Sequence, residues 1–272
     1  MKKPTKIVLT VISVIILSII LYFVCAFFGN PVSYLLTKNS ADDYVEAKYS
    51  DSNFEIEKIG YDFKTTGYYA NVVNPDSEDS YFSVYFDLLG RPAYDTYENI
   101  TNGWNTYMRL EDDYRELVDS VEDEIKKTFT TDIFYGEMKT SEVADNYCGK
   151  VPYGIVMSDL VVDCDYDINE VGKKSGHIVL HYDETVLTAD KMAERLLEIK
   201  EIFDKNNIKF YTIDFIAQEP KTEDNADNRK EFAVREFLYS DIYKEGLAER
   251  LQESADDLRV FYAKQNVKDK VQ

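Results

Sequence analysis

Histidine is the usual general base near neutral pH, and the chain has two, His177 and His181. Four residues apart in a run that reads as strand, they share one face with Val179 between them. No cysteine or carboxylate motif of zinc-site spacing accompanies them, so they read as surface histidines on a half-wet strand. Carboxylates offer a second chemistry. Asp159, Asp163, Asp165 and Asp167 are followed by Asn169 and Glu170, and alternating carboxylates are how a calcium loop gathers hard oxygen ligands. Asp163, Asp165 and Asp167 are the candidate metal ligands. An EF-hand counted from Asp163 needs glycine sixth and a bidentate acid twelfth, and Ile168 and Lys174 stand there. A solvated loop is the plainer reading. Nucleophilic chemistry has no signature: there is no Gly-x-Ser-x-Gly elbow, and no cysteine sits in a histidine-containing motif. Glycines are too sparse for a phosphate loop or a dinucleotide fingerprint. A glycosidase carboxylate pair is defined by separation in space, and among 51 acids some pair will fit by chance.

The third chemistry is recognition. The chain holds 22 tyrosines, and most have a plain explanation in sheet faces and helix seams. A tyrosine-rich surface for a protein or cell-envelope partner is the sharper alternative. Tyr68, Tyr69, Tyr81 and Tyr85 are the candidates, since some of them must lie on the open face of a half-buried sheet.

These residues have to be positioned by a chain whose charge is lopsided. Its formal net is −20. Lys2, Lys3 and Lys6 give the first thirty residues +3, which leaves −23 on the rest. A body that negative repels nucleic acid and suits plain solubility outside a membrane. With 44% hydrophobic residues it can still bury a core. Ile7 to Phe28 is apolar except for Thr10, Ser13 and Ser18. At ~1.5 Å per residue it reaches roughly 33 Å, enough for the hydrocarbon of a bilayer. The lysines before it and the acidic body after it place the amino terminus in the cytoplasm and the bulk outside. A cleaved signal would carry a shorter apolar run and small residues at its exit. Tyr22, Phe23, Phe27 and Phe28 stand there instead, and Val24 before Cys25 argues against a lipoprotein signal. The expectation is a single-pass anchor through residues 7–28 in contact with the lipid bilayer. Cys148 and Cys164 are the one cysteine pair left to the exported part, as a disulfide or as two thiols.

The fold class expected is α+β. After the anchor and cytoplasmic tip (1–30) comes a helix plus antiparallel sheet module (31–100). Its helix runs from 38 to about 50 with Ser40 as N-cap, and its strands form a meander. The register breaks between Ile56 and Ile59, while Phe82, Val84, Phe86 and Leu88 face inward. Glycine, arginine and proline at 90–92 turn the chain into a last strand at 94–97. A long connecting helix over roughly 102–129 (101–130) follows, carrying Trp104, Met108, Tyr114, Val118, Val121 and Ile125 on one face. An α/β sandwich of ferredoxin-like flavour (131–265) comes last. It holds a strand at 176–182, a helix at 189–206 capped by Thr188, a parallel strand at 208–216, a strand at 231–239 and a final helix capped by Ser240. Residues 266–272 form a frayed tail.

The run Gly29-Asn30-Pro31-Val32-Ser33 after a membrane helix resembles the opening of the YfjL-like proteins of low-GC Gram-positive bacteria. Further likeness lies in Tyr68-Tyr69-Ala70-Asn71-Val72, in Asp79-Ser80-Tyr81-Phe82-Ser83-Val84 and in Gly103-Trp104-Asn105-Thr106-Tyr107-Met108-Arg109-Leu110. It covers about residues 29–115 and is fainter beyond. The resemblance implies a membrane-anchored bacterial protein in two modules and names no reaction. The helix-then-meander order of the first module also looks like PepSY and cystatin-like domains, an analogy of fold alone. Together these readings give a non-enzymatic extracytoplasmic binding or interaction protein that needs no cofactor. The alternatives are a calcium-responsive envelope protein and a hydrolase with an unrecognised carboxylate pair.

Overall fold

The computed structural model describes residues 3–141, 153–225 and 228–269. The architecture is α+β: a long apolar helix, a four-stranded antiparallel sheet, then a second, mixed sheet with helices. The chain divides into two compact units, Met1–Thr106 with Val161–Asp163, and Tyr107–Leu160 with Cys164–Gln272.

Unit 1 opens with helix α1 (Lys3–Phe28). Its apolar side chains from Val11 to Val24 are exposed on every side. A helix that is apolar all round belongs in a protein core or a membrane, and this one is long and apolar enough to cross a bilayer. Gly29 ends it in the left-handed region at φ +75°, with its N–H donating to the Cys25 carbonyl at 3.0 Å. Helix α2 (Pro31–Tyr49) starts at once. Asn30 caps it by accepting from the Ser33 N–H at 2.8 Å, and Pro31 suits the first helical position, where no donor is needed. The expected start near residue 38 is therefore corrected: Ser40 lies inside the helix. Ser33, Thr37, Ala41 and Val45 form its buried stripe at steps of four.

Four antiparallel strands follow in sequential order: β1 (Glu55–Asp62), β2 (Gly67–Val73), β3 (Tyr81–Phe86) and β4 (Pro92–Asp95). The register shifts between Ile56 and Lys58, as the pattern of apolar residues predicts. Tyr68, Ala70 and Val72 of β2 join Phe82, Val84 and Phe86 of β3 in a core completed by Ala41 and Val45 of α2. Leu88 does not continue that inward series. It falls in the turn after β3 and is exposed. Between α2 and β4, Asp95 accepts from Lys48 Nζ and Tyr44 Oη at 2.6 Å each and from Tyr49 Oη at 2.9 Å.

The expected long helix is in fact α3 (Glu98–Thr101), α4 (Trp104–Asp119) and α5 (Glu122–Thr128). The break after α4 falls where Ser120 Oγ turns back to the Leu117 carbonyl at 2.6 Å, a local bond that competes with the helix ladder. Val118, Val121 and Ile125 are all buried across that break.

The sheet of unit 2 runs in the order β5 (Thr130–Met138), β6 (Gly176–Asp183), β7 (Thr212–Gln218), β8 (Glu231–Leu238). β6 and β7 are parallel neighbours joined through α7 (Ala189–Lys205), and the outer pairs are antiparallel. A ferredoxin-like split would put another strand between the parallel two, so that topology is corrected. Thr188 caps α7 as expected, accepting from the Lys191 N–H. The last helix, α8 (Leu247–Asp269), starts later than Ser240, which belongs to a short 3-10 turn, and ends at Asp269, the last described residue. Met192, Leu196, Ile199 and Phe203 of α7 pack with Tyr114 and Val118 of α4 over Ile178, Leu180 and Tyr182 of β6. β5 is an addition to the sequence reading, as is α6 (Ile168–Ser175).

Candidate functional site

The tyrosines of the first sheet divide by strand parity. Tyr68 faces the core at 3% exposure, where its hydroxyl accepts from the Asn30 N–H at 2.7 Å and donates to the Asn30 carbonyl at 2.8 Å. It is therefore withdrawn from any surface role. Tyr69, Tyr81 and Tyr85 lie on the opposite face. Tyr69 is paired with Tyr85, and Tyr85 with Tyr94, across β2, β3 and β4. The Tyr85 and Tyr94 rings stack at 4.5 Å and 15°, and Tyr69 stands 6.4 Å from Tyr85. Gly60 of β1 lies opposite Tyr69, and a side chain there would run into the Tyr69 ring. The result is one aromatic row across the open face, ending in Tyr94 at 57% exposure. Tyr94 is not among the sequence candidates, because β4 is too short to show an alternation. The row borders a cleft of about 520 Å³ lined by Tyr85, Tyr94, Leu89 and Arg91 among others. Flat aromatic faces beside a guanidinium group suit a partner that offers apolar or stacking groups with some polar character.

The acidic candidates have local tasks. Asp163 sits at φ +57° and accepts from Ser77 Oγ at 2.9 Å and the Asp79 N–H at 3.1 Å. Its own N–H donates to Asp79 Oδ2 at 2.9 Å, and Thr106 Oγ1 donates to the same oxygen at 2.8 Å. Asp167 is the N-cap of α6, accepting from the N–H groups of Asn169 and Glu170. Asp165 is exposed. Among the described residues no three His, Cys, Asp or Glu side chains are grouped to hold a metal ion. Cys164 is a free thiol, and Cys148, its proposed bridging partner, lies outside the described residues.

His177 corrects the surface reading, whereas His181 is half-buried on the same strand. His177 is 2% exposed. Its Nδ1 lies 2.8 Å from Thr212 Oγ1, which is itself 2.6 Å from Tyr153 Oη. On the other side of the ring, Nε2 faces Asp214 Oδ1 at 3.5 Å and Glu137 Oε1 at 4.0 Å. Hydroxyl, imidazole and carboxylate in that order can activate a nucleophile. Here Thr212 is as buried as the histidine. Burial, reinforced by the positive charges of Lys139 and Arg235, pushes the imidazole down to about 3. A base that weak leaves the threonine hydroxyl unactivated at neutral pH. Burial also pushes the Asp214 carboxyl up. The cluster is a satisfied polar inclusion between strands.

Two family models match the chain: YfjL-like, N-terminal domain, over residues 4–95, and YfjL-like C-terminal domain, over residues 113–252. The chain belongs to the YfjL-like family. No curated protein and no solved structure matches it. The YfjL-like resemblance thus extends well beyond the stretch of 29–115 in which its motifs are plainest. The aromatic row falls within the YfjL-like N-terminal domain, and the His177 cluster within the C-terminal one.

Proposed function

We propose that the chain is a single-pass membrane protein that holds a non-enzymatic binding module on the extracytoplasmic side, with the Tyr69–Tyr85–Tyr94 row as its contact surface. The aromatic row, half-buried at Tyr69 and Tyr85 and exposed at Tyr94, is the observation that carries this reading, since aromatic rings on an open sheet face supply rigid contact area at low conformational cost. The length and apolarity of α1 support the anchor. Lys2, Lys3 and Lys6 before it and the acidic body after it support the orientation.

The test uses the full chain in its native membrane, with a photo-crosslinking phenylalanine analogue at Tyr85 or at Tyr94. A discrete adduct at both positions, absent when the analogue replaces the exposed Lys221, is the expected result. Equal labelling at all three positions would remove the contact surface. Protease added to cells with a permeable wall checks the orientation separately, because the bulk after residue 30 should be digested.

A further inference from the structure

We propose that unit 1 rests directly on the phospholipid headgroup layer, through an apolar collar around the exit of α1 made by Val32, Leu35, Phe63, Leu88 and Leu89. The proposal rests on the reading of α1 as a membrane span.

Unit 1 is bonded to the end of the helix without a slack linker. Tyr61 Oη donates to the Ala26 carbonyl at 2.9 Å, inside the last turn of α1. The next residues are clamped as well: Asn30 is bound through both its N–H and its carbonyl by Tyr68 Oη. Gly29 between them has no room for a side chain, since a Cβ would lie 2.9 Å from the Tyr61 ring and closer still to the Tyr68 hydroxyl. Whatever depth α1 takes in a bilayer is therefore passed on to the sheet.

That depth brings three segments to the interface. Phe63, in the turn between β1 and β2, has its ring 6.4 Å from the ring of Phe27 in the last turn of α1. The two aromatics share one level, where aromatic side chains gather at a membrane surface. Phe63 is nevertheless 54% exposed to solvent. The turn between β3 and β4 is seated on the start of α2. The Leu88 carbonyl accepts from Ser33 Oγ at 2.5 Å, and a Cβ at Gly90 would come within 2.8 Å of the Leu36 main chain. Leu89 in that turn is 62% exposed, and Val32 and Leu35, the chain neighbours of Ser33 and Leu36 in α2, are exposed too. Exposed apolar groups singly need no explanation, but a set gathered round the exit of an apolar helix does.

Charge separates this region from the rest of the chain. Residues 28–41, 61–66 and 86–92 carry Lys38, Lys64 and Arg91 against Asp62 and Asp87, a net of +1 in a chain whose net is −20. Each apolar cluster has a basic residue within three positions: Phe63 with Lys64, Leu89 with Arg91, Leu35 with Lys38. Apolar side chains flanked by long cationic ones match a phospholipid interface, where the former enter the acyl boundary and Lys38 and Lys64 reach phosphate, while Arg91 is ion-paired with Asp87 at 2.7 Å.

Single-tryptophan versions of the full chain test this in nanodiscs of phosphatidylcholine and phosphatidylglycerol, in a Trp104→Phe background. Fluorescence is compared between plain lipids and lipids brominated high on the acyl chain. Phe63→Trp and Leu89→Trp should each lose about half their intensity or more to bromine, as interfacial aromatics do. Phe23→Trp, inside α1, should be quenched at least as strongly. Tyr81→Trp, at the far end of β3 and roughly 17 Å of extended strand from Phe86, should be unaffected. Quenching of Phe23→Trp with none at Phe63→Trp and Leu89→Trp overturns the collar and leaves the anchor standing. Blue-shifted but unquenched emission at the collar positions also overturns it, since protein would then cover the patch. No quenching of Phe23→Trp overturns the membrane span, and the collar with it.

Discussion

Tyr61 donates its hydroxyl to the main-chain carbonyl of Ala26 at 2.9 Å, so a strand of the first sheet satisfies one of the open carbonyls at the end of α1. With Tyr68 bound to both polar groups of the Asn30 backbone, two core-side tyrosines convert the end of an apolar helix into a fixed joint. Their presence explains why the helix turns immediately into α2. A flexible spacer would leave these tyrosine hydroxyls without their partners.

Gly29→Ala should break that joint. The left-handed backbone at φ +75° disfavours any Cβ, and this one would press into the Tyr68 hydroxyl and the Tyr61 ring. The expected loss is about 1–3 kcal/mol from unit 1. Denaturant unfolding in detergent, followed through Trp104, reads it directly, and an unchanged midpoint would show that the joint yields without cost.

Thr37 offers the opposite sign. It is wholly buried on the inner face of α2, and its hydroxyl has no hydrogen-bond partner. Thr37→Val keeps the shape and removes the unpaired group, so unit 1 should gain about 1 kcal/mol. Loss of stability in the same unfolding assay would mean that the hydroxyl is satisfied after all.

Asp95 ties α2 to β4 and sets an acid limit for unit 1. Burial raises its pKa, but hydrogen bonds from Lys48, Tyr44, Tyr49 and the Tyr97 N–H outweigh burial and hold it at about 2. A depressed carboxylate stabilises the fold fully above its unfolded value near 3.9 and loses that contribution as pH falls through the folded value. Since Lys48 is half exposed, solvent screening reduces the contribution to about 1–2 kcal/mol. Asp95→Asn should therefore be less stable than wild type at pH 7, and the gap should narrow toward pH 2. A gap that stays constant across that range would rule out the linkage.

What could be read from the chain alone was what repeats locally. Alternation of Phe82, Val84 and Phe86 fixed the buried face of β3, and the slip after Ile56 showed as a break in the same alternation. The strand, helix and parallel strand around α7 followed from Thr188, the stripe from Met192 to Phe203 and the chain reversal at Asn206. Three features were obscured. The cap at Asn30-Pro31 lies between two apolar runs, which puts the expected start of α2 seven residues late. Gly136, kept small because Val118 fills the space a Cβ would need, interrupts the pattern of β5. Tyr68 and Tyr69 are neighbours in one strand, and only their parity against Ala70 and Val72 tells which of them is inside. The rest depends on distant partners. Asp163 finds Asp79 from 84 residues away, and His177 finds Thr212 from 35, distances over which no local pattern carries information.

His177 gives the sharpest dependence on pH. Its ring is packed among Thr212, Tyr153, Asp214 and Glu137, with the charges of Lys139 and Arg235 near enough to disfavour protonation. Burial, the larger cause, brings the folded value to about 3, whereas an unfolded histidine takes its proton near 6.5. Below about 6.5 the unfolded chain therefore binds a proton that the folded chain refuses, and stability falls by about 1.4 kcal/mol per pH unit until the folded value is reached. Asp214 works the other way: its raised carboxyl pKa lets the folded state take up a proton first, which adds stability on acidification. Comparing wild type with His177→Gln removes the histidine contribution and leaves Asp214 in place. Unfolding of the two proteins followed by circular dichroism should show wild type losing stability relative to the variant steadily from pH 6.5 to 4.5. Parallel curves would mean that the imidazole carries its proton in the folded protein, held there by Asp214 and Glu137.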